Sequence, residues 1–263
     1  DKLVKILNRL SGSNFGINQL YLIYKLKGNL STNKIKYLFP PKNSFWADPH
    51  VVKYKEDYFV FFEDFNYMKN KGCISFFSIK PDGSVSEPKK ILETKYHLSY
   101  PFVFEHEGSY FMVPECSSSG NIQLYQSHNF PYQWEPLKTL INNITAVDTT
   151  LLNYENMWWL FTSTKDETNI LPSNNLSIFY SQNLVSNDWI LHPSSPITSK
   201  DSSLRSAGNI FRIKDRLFRP SQNSYQRYGQ GIHINEIIKL TKDTFKEKRI
   251  ALLDSNNFRK ILG

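Results

Sequence analysis

Three carboxylates stand out by type and spacing: Asp48, Glu115 and Asp148. Asp48 and Asp148 each open an apolar run that reads as a strand, in FWADPHVV and AVDTTLL. Glu115 closes such a run, in SYFMVPE. Two carboxyl groups flanking a reacting bond are the usual means of breaking a glycosidic link. One protonates the leaving oxygen and the other acts as base or nucleophile. An Asp ahead of a strand also caps turns through backbone N–H groups, so each residue taken alone supports both readings. The recurrence of Asp at one repeat position favours the chemical reading, because packing there needs no charge and burying one is costly.

Two cations accompany them. Arg205 and Arg219 are either ion partners of Asp48 or Asp148, or a clamp for a phosphate or a sugar carboxylate. Trp46, Glu63, His97, Tyr100, Gln222 and Tyr228 complete the candidate substrate-binding set. Trp46 and Tyr100 either pack in the core or stack on a sugar ring. Glu63 is a substrate contact or a charge on a solvated rim. His97 divides between hydrogen-bonded packing and substrate contact, and Tyr228, in QRYGQG, between substrate contact and filling a turn.

A repeat positions these residues. DPHVVKYKEDYFVFFE (48–63), YPFVFEHEGSYFMVPE (100–115), DTTLLNYENMWWLFTS (148–163) and AGNIFRIKDRLFRPSQ (207–222) align without gaps. Each reads as an apolar strand, a tight polar turn and a second apolar strand. An apolar pair falls at one place in all four: Tyr58-Phe59, Tyr110-Phe111, Trp158-Trp159 and Leu217-Phe218. Each hairpin is followed by another strand pair, so the unit is four short strands in about 50 residues, the pattern of a propeller blade. Blades are expected at 48–92, 100–140, 148–193 and 207–250. A fifth would combine 17–41 with the C-terminal stretch 251–263. The expectation is an all-β fold, a five-bladed β-propeller with four-stranded blades around a central channel, as a single domain over 1–263. The hairpin ends, and with them the residues above, are expected at one mouth of that channel, as a polar pocket with aromatic surfaces.

Composition bounds the rest. Aromatic residues make up 15% of the 263, which suits strands and ring-stacking surfaces. The net charge of +8 comes from scattered Lys and Arg. It fits a soluble basic surface, and equally a phosphorylated substrate or an anionic membrane surface. No nucleic-acid module is present, and nucleic acid is not expected as a partner. Cys73 and Cys116 make no disulfide framework or metal motif and read as free thiols in a reducing compartment. DKLVKILNRL is a short basic amphipathic segment without a signal-peptide core, so the expected location is cytoplasmic, peripheral at a membrane. NLS (29–31), NIT (143–145) and NLS (175–177) match the glycosylation acceptor pattern, which arises often by chance. No cofactor is implied. A nucleotide sugar would be a donor substrate, and no divalent cation is required, although several carboxylates could hold one.

Taken together, FWADPHVV, YHLSYPFVFEHEGSYFMVPE, AVDTTLL…WWLFT and RSAGNIF…LFRPSQNSYQRYG resemble one family. It is the five-bladed-propeller segment at the N-terminal side of plant glucosamine inositolphosphorylceramide transferases. Similar segments occur in bacterial surface-polysaccharide proteins, sometimes beside sugar formyltransferases, so an attached or partner glycan-modifying enzyme is implied. The resemblance runs from about residue 40 to 250. More distantly the chain is similar to family 43 glycoside hydrolases. That likeness implies Asp48 as base and Asp148 as the residue orienting the acid. It also implies an acidic Glu in the fourth repeat, where LRSAGNIF (204–211) has none. Glu115 is the substitute. The departure favours glycosyl transfer from a phosphate-linked donor, which leaves with little protonation, to a glycan or lipid-linked acceptor. Arg205 and Arg219 would meet the departing phosphate. Hydrolysis with Asp48 as base and Glu115 as acid, and glycan binding without catalysis, are the alternatives.

Overall fold

The structure is a computed structural model that describes residues 5–8, 22–25, 36–164, 175–200, 203–225 and 229–254. Tyr228, the stretch 9–21, and the last nine residues lie outside the described residues.

Among the described residues twenty strands form antiparallel sheets. β1 (Lys5–Asn8), β2 (Leu22–Lys25) and β3 (Lys36–Leu38) make a three-stranded sheet. β4 (Ser44–Tyr54), β5 (Asp57–Asn66), β6 (Lys71–Ile79) and β7 (Lys89–Leu92) form the first four-stranded meander. β8 (Ser99–His106), β9 (Ser109–Glu115), β10 (Asn121–Asn129) and β11 (Gln133–Asn142) form the second. The third holds β12 (Ala146–Tyr154), β13 (Met157–Thr164), β14 (Asn175–Ser181) and β15 (Ile190–Leu191), with β16 (Ile197–Thr198) also paired to β14. The fourth holds β17 (Phe211–Ile213), β18 (Arg216–Asn223), β19 (Gly231–Leu240) and β20 (Phe245–Asp254). These are the four repeats expected from the sequence.

Among the described residues there are four such blades, not the five expected. β20 pairs along β19 from Gly231↔Asp254 to Leu240↔Phe245, so 251–254 already complete the fourth sheet. Among the described residues the N-terminal sheet therefore has three strands, none of them from the C-terminal end. The fourth repeat also departs from the pattern. Gly208 takes φ 124°, and the stretch before it meets β18 by an isolated bridge, Ser206↔Ser221, and by the bonds Ala207 N–H to Pro220 O and Gln222 N–H to Arg205 O.

The chain divides into two compact units, Asp1–Pro114 with Tyr125–Pro136, and Glu115–Leu124 with Leu137–Gly263. The first unit has an apolar cluster of Leu22, Trp46, Tyr58, Val60, Phe62, Phe77 and Ile79. Phe130 adds an aromatic hub, stacking on Tyr110 at 3.8 Å between ring centroids and meeting Tyr54, Phe59 and Trp134 edge-on. In the second unit Trp159, Phe161, Leu176 and Ile178 pack with Leu204, Leu217, Ile237 and Leu240. Alternating strand residues supply both clusters, as half-buried pleated sheet requires.

Candidate functional site

The repeat position of the two aspartates is a bulge. In β12, Val147 faces Ser163 but Thr150 faces Phe161, so one extra residue is inserted. β4 does the same between Ala47 and His50. At these points Asp148 has φ 51° and Asp48 φ 48°, and Tyr100, their repeat equivalent in β8, has φ 41°. Asp tolerates left-handed backbone better than most residues, and a bulge re-aims the side chain it carries. Asp48 takes this conformation directly before Pro49, where the preceding residue prefers extended backbone. Strain at three corresponding positions points to a function that requires it. In β12 the bulge is stitched by Thr162 Oγ1, which donates to Val147 O at 3.0 Å and meets Thr149 Oγ1 at 3.0 Å.

In the second unit Glu115, Asp148, Arg205 and Gln222 come together. Asp148 is fully buried. Arg205 forks onto it, Nε donating to Oδ2 at 2.5 Å and an η nitrogen donating to Oδ1 at 3.1 Å. Gln222 Nε2 donates to Oδ2 at 2.8 Å and to Ser206 O at 3.2 Å. Asp148 donates its own N–H to Glu115 Oε2 at 3.1 Å, and Arg205 lies 3.6 Å from the same oxygen. Burial, the Asp148 charge and a side-chain hydrogen bond to Asp148 push the Glu115 carboxyl up to about 9, against the smaller opposing pull of Arg205. A negative charge beside a carboxyl in a dry site keeps that carboxyl protonated. The arrangement is one neutral acid held against one carboxylate.

Arg219 is placed elsewhere. It is 1% exposed. It forks onto Glu247 at 2.8 and 2.6 Å and donates to Leu204 O at 2.9 Å. The expected substrate clamp is thus a buried ion bridge from β18 to β20. A buried charge is retained where a partner and further hydrogen bonds compensate it, and Glu247, 25 residues beyond Gln222 in the chain, is not foreshadowed by the hairpin repeat.

The first unit holds Asp48, Trp46, Glu63, His97 and Tyr100. Trp46 is a core residue, 6% exposed, packed on Phe62 at 4.9 Å, with its Nε1–H donating to Asp64 Oδ1 at 3.2 Å. Tyr100 is 8% exposed. Both therefore pack, and neither presents a ring face to solvent. Glu63 is buried rather than on a solvated rim, with Oε1 3.3 Å from His97 Nε2. Gly72 N–H donates to His97 Nδ1 at 2.9 Å, which leaves the His97 proton on Nε2, facing Glu63. Burial lowers the His97 pKa, in keeping with a neutral ring. Gly72 is needed here: a Cβ would lie 2.6 Å from Leu98 O and 2.9 Å from His97 Cε1. His50, which the sequence patterns do not flag, is also buried. It donates Nε2–H to Val103 O at 2.6 Å, and burial takes its pKa down to about 4. Its nearest signal is its place two residues after Asp48, inside an otherwise apolar strand.

Among the described residues no three His, Cys, Asp or Glu side chains group to hold a metal, and no helix is long and apolar enough to cross a membrane. Of the glycosylation matches, Asn175 is 2% exposed, with its amide bonded to Thr164 at both ends. That position is closed to a glycan, and 29–31 lies outside the described residues.

Solved structures share the fold at low identity. An exo-1,5-α-L-arabinanase from a bovine ruminal metagenomic library matches with a TM-score of 0.61 at 11% identity, covering 87% of this chain and 89% of that one. An exo-β-1,3-galactanase from Clostridium thermocellum gives 0.66 at 10% identity, covering 92% and 58%. A family 117 glycoside hydrolase from Zobellia galactanivorans gives 0.62 at 10% identity, covering 96% and 76%. The fold is an all-β propeller. In sequence, the glucosamine inositolphosphorylceramide transferase 1 of Oryza sativa subsp. japonica is 34% identical over 213 residues, 80% of this chain and 28% of the rice protein. That of Arabidopsis thaliana is 29% identical over 211 residues, 79% and 27%. The chain spans little more than a quarter of these relatives. The family model described as glucosamine inositolphosphorylceramide transferase 1, N-terminal, matches residues 32–260, and the chain belongs to that family.

Proposed function

We propose that this chain is a carbohydrate-active domain that takes part in glycosyl transfer during surface-polysaccharide or glycolipid synthesis. One observation carries this reading: the Arg205 guanidinium meets both Asp148 and Glu115, which sets a cation for a departing phosphate beside a carboxyl pushed up to about 9. A carboxyl that keeps its proton at neutral pH is a general acid ready for the oxygen of a departing group. Asp148 is the positioning residue. Its oxygens are occupied by Arg205 and Gln222, so it is poorly placed as a nucleophile. Arg205 sets the charge of the pair and stands near any anionic group entering beside Glu115. Asp48, at the equivalent bulge of the first unit, stays a candidate base by its repeat position alone. The relatives' name, glucosamine inositolphosphorylceramide transferase 1, supports a glycolipid or lipid-linked acceptor, and the proposed donor is a nucleotide sugar or a lipid-phosphate sugar. The basic net charge supports work at an anionic membrane surface, and a cytoplasmic setting beside a further glycan-modifying enzyme completes the proposal.

A second reading, glycoside hydrolysis, draws on the same proton. Glycosidic oxygens need protonation more than phosphates do, and the solved structures of similar fold are glycoside hydrolases by name. The test is a panel of nucleotide sugars and lipid-phosphate sugars, with and without glycan and lipid acceptors. Product that requires the acceptor and falls by about 10²–10⁴ in Glu115→Gln supports transfer. Release of free sugar from aryl glycosides without acceptor supports hydrolysis. Ligand binding without turnover, unchanged in Glu115→Gln, identifies a glycan-binding module and overturns both.

A further inference from the structure

We infer that the fourth sheet carries a second ligand site, for a sugar bearing a carboxylate or phosphate group. An open cavity of about 230 Å³ is lined by Asn223, Tyr225, Gln230, His233 and Arg249. Strand geometry sets it apart from the Glu115–Asp148 cluster. Successive strand residues point to opposite faces, so Asn223 faces away from its neighbour Gln222, which serves Asp148. Cross-strand partners share a face, and the register puts Ser221 opposite His233, Arg219 opposite Asn235, and Asn235 opposite Arg249. One face of the sheet therefore carries a polar row. At its inner end the row closes on itself, through Arg219 with Glu247 and Asn235 with Ser221. At its outer end it opens into the cavity.

The lining chemistry selects the ligand. Arg249 is anchored by a hydrogen bond to Ser203 Oγ at 2.6 Å, which holds a planar, charged fork at the wall. Such a fork matches the paired oxygens of a carboxylate or phosphate. Among the described residues that line the cavity none is Asp or Glu. Asn223 is 6% exposed and uses Oδ1 to accept the Tyr225 N–H at 3.3 Å. Its Nδ2 makes no hydrogen bond among the described residues and is a donor for a hydroxyl. Beside it, Ser224 Oγ is buried without a hydrogen-bond partner among the described residues. Tyr225 is 69% exposed and offers a ring to the apolar side of a sugar. Guanidinium, carboxamides and one open aromatic ring together fit an acidic sugar better than a neutral one or a bare ion.

The site stands independently of the Glu115 chemistry. The test measures binding of glucuronate, glucose 6-phosphate, glucose and inorganic phosphate by calorimetry, with a crystal soak of the tightest binder. Glucuronate or glucose 6-phosphate should bind, and glucose should bind at least about tenfold more weakly, the loss of one charge-assisted pair. Arg249→Ala should weaken the acidic sugars about tenfold or more, and Tyr225→Ala severalfold. Both side chains are exposed, and thermal melts check that the variants fold. Binding should persist in Glu115→Gln. The inference fails if neither acidic sugar binds, or if Arg249→Ala binds as well as the parent. It fails also if binding is lost in Glu115→Gln, which would place the ligand at the other site, or if phosphate alone binds as tightly as the sugar phosphate.

Discussion

Glu115 keeps its proton to about pH 9 in the fold, whereas an unperturbed glutamate releases it near 4.5. Between those values the native state binds more protons than the unfolded chain, so this group makes stability fall as pH rises across the window. Below it the cost is absent, and above it the cost is complete. Glu115→Gln keeps the shape, can still accept the Asp148 N–H, and abolishes the titration. It should raise stability at pH 8 relative to the parent by at least the equivalent of one pKa unit, about 1.4 kcal/mol, with little difference at pH 4. Urea melts at the two pH values measure this, and a difference that does not change with pH would contradict the raised carboxyl. Activity that needs this proton should persist through neutral pH and decline above about 9. Arg205 answers a different question. Arg205→Ala strands a fully buried carboxylate and should cost about 3–5 kcal/mol, and Arg205→Lys recovers only part, because an ammonium cannot fork.

The bulge and the turn are the elements that hold these groups in place. Glu155 and Asn156, the two-residue turn between β12 and β13, both take positive φ, 52° and 57°. Asn-Gly is the preferred sequence for such a turn. The double change Glu155→Asn with Asn156→Gly should stabilise the second unit by about 0.5–1 kcal/mol, and a lower melting temperature would argue against the turn geometry. Gly72 works in the opposite sense. Gly72→Ala pushes a methyl into Leu98 O and the His97 ring, and should cost about 1–3 kcal/mol. It should also move the His97 ring, readable as a shift in its NMR titration. If the titration is unchanged, the Glu63–His97 contact does not depend on the close approach.

For the molecule as a whole the strongest sequence-level quantity is charge. With 32 Lys and Arg against 24 Asp and Glu, the chain should adhere to vesicles rich in phosphatidylserine at low salt. It should release as ionic strength rises and the screening length shortens to a few ångströms. Co-sedimentation at about 50 mM and about 500 mM salt tests it, and salt-independent binding would point to apolar insertion instead.

The sequence by itself determined the repeat. Period-two alternation and matched turns can be read locally, and so the four meanders and the corresponding places of Asp48, Tyr100 and Asp148 are legible in it. The same local rules overreached at the ends, where pattern alone could not tell that β20 spends 251–254 on the fourth sheet. Only the tertiary structure decided which charges meet. Arg205 and Arg219 look alike in the chain, yet one reaches Asp148 and the other Glu247. The pairing of buried charges depends on which strands lie side by side and which faces they present, and on how much water is excluded between them. Those are properties of packed elements, and neither spacing nor composition encodes them.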